Sequence, residues 1–401
     1  MRSAHYYKEC RVDESQTANL YWCNKISTFS KEPATCSRYE RYFDVQDNCW
    51  ISTHSIGNKP TIYLALEDVV EIRDLTRELL AIVEQAQPDI CDVTCHLSME
   101  KRWRYYCNNR GVELTSETFS YSVFMRYMHS RGIESYFNRG FSIDDLEQIL
   151  YIGLRDMHDR VSWPQASMHP ECLPQKSHLL LAPNVSSVLL HELVGHGCEE
   201  ADEDMGLPFP FGPNFLQVSV LCPTSSGFDD EGVPTDELRL LKDGRLIRRV
   251  VDRERAVILG EKPSGLAQIG SHGGKPQVRC THLKATGGSG DPKELISSVD
   301  KGILCLDTSG GEFQAGTAMV RVNAARYIRC GIAGNRVPQF FFHVRLNDFK
   351  HCLVAMATDE SVGRTGTCVK DGDELPTSTT SPTMLLSDVS IWRASDGLGN
   401  S

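Results

Sequence analysis

Val188-Leu189-Leu190-His191-Glu192-Leu193-Val194-Gly195-His196-Gly197 is the stretch from which this 401-residue chain is best read. Two imidazoles flank a carboxylate on what is otherwise an apolar, helix-forming run. Neutral imidazole is a favoured zinc ligand, and a water acidified by a metal needs a nearby carboxylate to take its proton and pass it to a leaving amine. Glu192 stands in that place. The pattern points to a metallohydrolase. The competing reading is a buried helix whose histidines are merely hydrogen-bonded, and the motif by itself leaves both open.

The spacing makes a structural demand. In the familiar H-E-x-x-H pattern the histidines fall at i and i+4, one above the other. Here they fall at i and i+5. At about 100° per residue, five steps turn the second imidazole roughly 140° away from the first, so a regular helix cannot aim both at one ion. A π-type turn would realign them, and such turns cluster at functional sites. The spacing predicts a bulge or break near Val194-Gly195, with Gly195 and Gly197 supplying flexibility.

Further motifs follow in order: Phe228-Asp229-Asp230-Glu231-Gly232-Val233-Pro234-Thr235, then Leu241-Lys242-Asp243-Gly244-Arg245-Leu246, then Gly366-Thr367-Cys368-Val369-Lys370-Asp371-Gly372. Upstream stands Tyr105-Tyr106-Cys107-Asn108-Asn109-Arg110-Gly111-Val112. The series resembles the TldD/PmbA family of metallopeptidases, and the resemblance covers most of the chain. Its TldD-type catalytic subunits carry H-E-x-x-x-H with a distant cysteine as third zinc ligand, whereas PmbA/TldE-type partners lack the histidine motif. The resemblance therefore implies zinc held by His191, His196 and Cys368, with Glu192 as general base. It also implies a dimer, either of two copies or with a PmbA/TldE-like subunit. Departures exist. Asp373 stands where the family usually has Gln, and Ser378-Thr379-Thr380-Ser381 replaces a glycine-bearing stretch, which bears on substrate preference more than on hydrolysis.

On chemistry alone Cys198, Glu199 and Glu200 rival Cys368 as third ligand. Cys198 follows His196 on the same helix and projects away from the shared face unless the helix ends there. The acidic run Glu199-Glu200-Ala201-Asp202-Glu203-Asp204 reads as a solvated helix end, with Glu199 also placed to orient a histidine. Fifteen cysteines in a small secreted domain would read as a disulfide framework. The N-terminus lacks an apolar signal core, and no run of about 18 apolar residues appears. The expectation is a cytoplasmic protein with reduced thiols, in which Cys23, Cys49, Cys280, Cys305, Cys330 and Cys352 are small core residues. Cys91 and Cys95, with His96 adjoining, have the wrong spacing for a second metal site.

Length and a composition of 40% hydrophobic and 24% charged residues fit a two-domain globular protein. A net charge of −11 without a basic stripe argues against broad nucleic-acid binding. The expected fold is α+β, with an N-terminal domain over 1–165 that mixes helices and an antiparallel sheet. A β-rich C-terminal domain over 166–401 would carry the metal-binding helix. Alternating runs between Ala4 and Ser55 and between Val93 and Tyr127 read as strands, with Gly111 at a turn. Helical spacing marks Leu66 to Val83, and Ser142 caps a helix starting at Phe141-Ser142-Ile143 and running towards Asp159 before Trp163-Pro164. From Leu179 onward, short β-branched runs alternate with glycine-rich turns and read as antiparallel. None of these turns has the phosphate-loop pattern. Gly273, Gly274, Gly287 and Gly288 are candidates for letting an extended peptide approach the backbone.

Three function classes fit: a peptidase acting on extended or unfolded peptides, an amide hydrolase for a small metabolite or peptide natural-product intermediate, and a non-catalytic partner subunit. The first is favoured, because a scaffold has no need of the base.

Overall fold

The computed structural model describes residues 7–23, 26–31, 34–44, 49–57, 90–109, 111–129, 132–140, 146, 149–153, 173–199, 216–221, 227–270, 275–363 and 365–393. Among them three seven-stranded sheets form the body of the molecule. The first takes all its strands from residues 7–140 and the other two from 176–393. The expected boundary near 165 falls outside the described residues, as do the helix expected over Leu66 to Val83 and the glycines Gly273 and Gly274.

The N-terminal sheet is antiparallel throughout, in the order Cys49–Gly57, Thr35–Asp44, Tyr7–Cys23, Ile90–Asn108, Glu113–His129 and Gly132–Gly140, with Ile26–Lys31 added to Tyr7–Cys23. Its period-two patterning is explicit. Val93, Cys95, Leu97 and Met99 are buried, and so are Tyr121, Val123, Met125 and Tyr127 across the hairpin, while the residues between them face outward. Leu146, Ile149 and Leu150, all helical, cover the buried face. Tyr136 Oη ties that helix down by donating to the Ile149 carbonyl at 3.0 Å. Gly111 makes the hairpin turn at φ 80°, a left-handed conformation that glycine adopts without a Cβ penalty.

The two C-terminal sheets enclose one core. Lys301–Gln314, Lys176–Leu181, Met384–Arg393, Phe340–Arg345 and Thr317–Arg329 pair in turn. Lys301–Gln314 also pairs with Thr317–Arg329, so the hydrogen-bonded path closes on itself. The facing sheet contains Gln217–Val220, Leu238–Lys242, His282–Thr286 and Asp373–Ser381. Both sheets are mixed, not antiparallel as expected. Lys301–Gln314 runs parallel to Lys176–Leu181, and His282–Thr286 parallel to Asp373–Ser381. A parallel pair needs a long crossover, and the chain between Leu181 and Lys301 supplies one that contains the metal-motif helix.

That helix, Pro183–Leu190, starts on a proline whose fixed φ suits the first turn. Val185, Leu189, Leu190, Leu193 and Val194 are all fully buried between Val218, Val220 and Leu283 of one sheet and Leu179, Ile303 and Val320 of the other. Apolar side chains that point from a helix towards two sheets require such a double cover. The thiols of Cys95, Cys107, Cys198, Cys280, Cys305, Cys330, Cys352 and Cys368 are free. Cys280 and Cys305 are core residues as expected, whereas Cys330 is exposed: it occupies a hairpin turn at φ 48°, where the chain reverses at the surface. Among the described residues no helix is long and apolar enough to cross a membrane.

Candidate metal centre

His191–His196 is a π-helical turn, continuous with Pro183–Leu190 before it and Gly197–Glu199 after it. The widened winding begins at the first histidine and spans the whole motif, earlier than the predicted break at Val194-Gly195. It brings the two imidazoles to 5.0 Å between ring centroids, at an interplanar angle of 72°. Gly195 serves close packing, whereas a side chain on Gly197 would meet only an ordinary contact. A Cβ on Gly195 would lie 3.3 Å from Leu283 and 3.4 Å from Cys280, and one on Gly197 would lie 3.4 Å from Leu346.

Cys368 arrives from the other end of the sequence. It lies on Gly366–Lys370, which forms a hairpin with Asp373–Ser381 through the turn residues Asp371 and Gly372 at φ 51° and 79°. Positive φ at both turn positions is the hallmark of tight hairpins, and Asp-Gly is a favoured pair there. Gly270 N–H donates to the Asp373 carboxylate at 2.6 Å, so the residue that departs from the family pattern anchors the hairpin. Thr365 N–H donates to Asn138 Oδ1 at 3.3 Å, tying the loop before Cys368 to the N-terminal sheet.

These elements bring His191, His196 and Cys368 together, with one potential ligand atom from each lying within 4.8 Å of the others. The Cys368 sulfur is 3.4 Å from His196 Nε2. His196 Nδ1 faces Glu199 Oε2 at 3.0 Å, the same carboxylate oxygen accepts from Lys370 Nζ at 3.0 Å, and Glu199 Oε1 accepts the Cys280 N–H at 2.5 Å. A carboxylate on Nδ1 fixes the ring and leaves Nε2 to face the cluster. Burial alone would raise the Glu199 carboxyl, but the His196 hydrogen bond, Lys370 and the Cys280 amide hold it down at about 2. Burial likewise works against charge on His196 and on Cys368. Their mutual contact, with Glu199 beside the first and His191 beside the second, outweighs it, so the imidazole is held above its ordinary value and the thiol below.

Glu192 is buried beside this cluster, with Oε2 3.7 Å from His196 Nε2. Burial pushes its carboxyl up, opposed by the two imidazoles. Gly311 gives it room, since a Cβ there would come within 2.9 Å of Glu192 Cγ. Phe313 stacks on His196 at 6.3 Å and closes one side.

The donor set suits a metal. Among the described residues neither ring nitrogen of His191, though buried, has a partner at hydrogen-bond geometry, a costly condition for buried polar atoms unless something else engages them. Two imidazoles and a thiolate are also the soft, nitrogen-and-sulfur set that zinc prefers, with a fourth position left open. Of the rival ligands, Cys198 points into the hydrophobic core, where burial pushes its thiol to about 12. Glu199 is spent on His196, Lys370 and Cys280, and Glu200 lies outside the described residues. Gly288 is taken up by the chain itself: a Cβ there would strike the backbone oxygens of Met356 and Ala357 at 2.4 and 2.7 Å. Gly287 precedes it at φ 114°.

His282, Lys370 and Arg279 escaped the reading of the sequence. Only the Lys370-Asp371-Gly372 turn offered a local signal. His282 is buried, and burial, with His191 and Arg139 nearby, holds its imidazole down at about 3 from an ordinary 6.5. The folded chain then stays neutral there while the unfolded chain takes up a proton. The stability this residue supports is present above pH 6.5 and is lost as pH falls towards 3. Urea melts of the metal-stripped protein are expected to show that loss across the window, and a His282→Gln variant should show a shallower one. An identical slope in both would refute the assignment.

Residues 219–393 match the PmbA/TldA metallopeptidase C-terminal domain. A metalloprotease of Synechocystis is 30% identical over 228 residues, which is 53% of this chain and 49% of that protein. A zinc metalloprotease TldD homolog of Saccharolobus solfataricus is 27% identical over 186 residues, 43% of this chain and 40% of that one. The chain thus spans about half the length, or less, of these relatives. The fold is similar to that of TldE from Thermococcus kodakarensis, with a TM-score of 0.72 at 14% identity over 96% of each chain.

Proposed function

We propose that this chain, a member of the TldD/PmbA family, is a zinc-dependent peptidase that hydrolyses extended or unfolded peptides. The observation that carries the reading is the convergence of His191, His196 and Cys368, with His191 nitrogens that meet no partner at hydrogen-bond geometry among the described residues, beside a buried Glu192. His191, His196 and Cys368 would hold the metal. When bound, zinc polarises the scissile carbonyl and makes water a stronger acid. Glu192 is the general base: its carboxylate takes the water proton and returns it to the leaving amine. Glu199 holds His196 through Nδ1, and Lys370 holds Glu199.

A feature of the strand Lys301–Gln314 favours an extended substrate. Its start pairs on both edges, but from Leu306 to Gln314 it pairs only with Thr317–Arg329 among the described residues. This half passes Glu192 at Gly311. A peptide adding there as a strand would be gripped by its main chain, with tolerance of its side chains. The active unit proposed is a dimer, of two copies or with a PmbA/TldE-like subunit, in a cytoplasmic setting. A partner covering an open strand edge would keep folded proteins away from it.

Metal analysis of the purified protein is expected to return about one zinc per chain. Cys368→Ala should lower that occupancy while Cys198→Ala leaves it unchanged, and a peptide-library digest should yield cleavage of extended peptides. Full occupancy in Cys368→Ala together with loss in Cys198→Ala would move the third ligand. Metal-replete protein without zinc would end the reading.

A further inference from the structure

Arg279 is the bulkiest of the fully buried side chains among the described residues, with 1% of its surface exposed. Its backbone is fixed on both sides, the N–H donating to Leu266 O at 3.0 Å and the carbonyl accepting from Gln268 Nε2 at 3.3 Å. From there the guanidinium reaches into the hairpin that carries Cys368. Nη2 donates to the Cys368 carbonyl at 2.7 Å and to its sulfur at 2.9 Å, and Nη1 donates to Asp373 O at 3.5 Å. Nε finds no acceptor among the described residues.

Arg279 forms no ion pair with any described residue. A guanidinium stays charged at every pH a folded protein meets, and burying a charge without a counter-charge is expensive. Breaking even with an apolar side chain of the same volume demands a partner. Of the acceptors it bonds among the described residues, the Cys368 sulfur is the one that can bear a full negative charge, and a cysteine ligates a metal as its thiolate. One terminal nitrogen gripping both the carbonyl and the sulfur of one residue also fixes the direction in which that sulfur points.

We propose that Arg279 is a positioning residue for the metal site, an assignment that rests on the zinc reading above. It aims Cys368 Sγ at the two imidazoles and, by donating to the sulfur, moderates the charge the thiolate gives to the metal. Carboxylates and carbonyls that support metal-ligating histidines likewise fix the direction of their ligands, although they raise ligand basicity where an N–H donated to sulfur lowers it, and their loss typically weakens metal binding by about 10–100-fold.

Full-length protein loaded with cobalt(II) in place of zinc tests this, because a sulfur-to-cobalt charge-transfer band reports the thiolate directly. Wild-type protein should show the band and Cys368→Ala should lack it. Arg279→Met is expected to bind cobalt about 10–100-fold more weakly in competition with a chelator, with the band shifted. Should Arg279→Met not fold, Arg279→Gln, whose side chain is too short to span to the sulfur, reads the same two quantities. A folded variant with wild-type affinity and an unmoved band overturns the role of Arg279 alone. Absence of the band from wild-type protein overturns the zinc reading itself.

Discussion

Glu192→Gln is expected to keep its metal and lose hydrolysis. The substitution preserves the volume of a buried side chain packed against Gly311, whose missing Cβ is what makes space for it. It adds no ligand and removes none, since the candidate ligand atoms belong to His191, His196 and Cys368. What it removes is the capacity to accept a proton 3.7 Å from His196 Nε2, at the edge of the cluster. Positioned proton transfer contributes about 10²–10⁴-fold to rate, and turnover of a peptide substrate should fall by that factor at unchanged zinc content. Turnover within a few-fold of wild type would remove Glu192 from the mechanism, whatever the metal content showed.

Arg104→Met is expected to be the most destabilising single change at the joint between the N-terminal sheet and the C-terminal body. Arg104 Nη1 meets Asp230 Oδ1 at 2.6 Å, with side chains 10% and 0% exposed. Asp230 cannot turn away, because its other oxygen accepts the Ile269 N–H at 2.6 Å. Removing the cation leaves an anion deep in the protein, and breaking a buried pair this way costs about 3–5 kcal/mol. Urea denaturation would read the loss as a lower midpoint at a similar slope. Adding Asp230→Asn should recover part of it, since the neutral amide oxygen can still accept from Ile269 without a stranded charge. A loss below about 1 kcal/mol, the scale of an exposed pair, would show the joint to be held by packing alone.

That joint explains two motifs whose order in the sequence gave no hint of contact. Tyr106 lies against Gly232, where a Cβ would come within 2.1 Å of its ring, and its ring is 6.4 Å from that of Phe228. The acidic look of Asp229-Asp230-Glu231 is likewise local in sequence and structural in use. Asp229 accepts from the Glu231, Val233 and Ala267 amides, and Glu231 accepts from Arg253 N–H. These carboxylates replace missing backbone partners in an irregular segment and are not ligands.

The sequence by itself determined whatever depends on a short period. Histidines five residues apart demanded a widened turn, and His191–His196 is one. Strict alternation from Val93 to Met99 and from Tyr121 to Tyr127 demanded strands with one buried face. Gly195 misled as to cause, because what it answers to is the close approach of Leu283 on a neighbouring strand. Chemistry alone left Cys198, Glu199 and Glu200 as rivals to the Cys368 that the resemblance implied, and it is sheet pairing that sets a hairpin 172 residues away against the helix while Cys198 lies in the core. Arg279 and Lys370 were illegible for the same reason, lying 89 and 171 residues from the side chains they hold. Helical and strand periods fix which face a residue takes, but no period spans such distances; only the parallel pairing of His282–Thr286 with Asp373–Ser381, and the core that both sheets press against Pro183–Leu190, decide which faces meet.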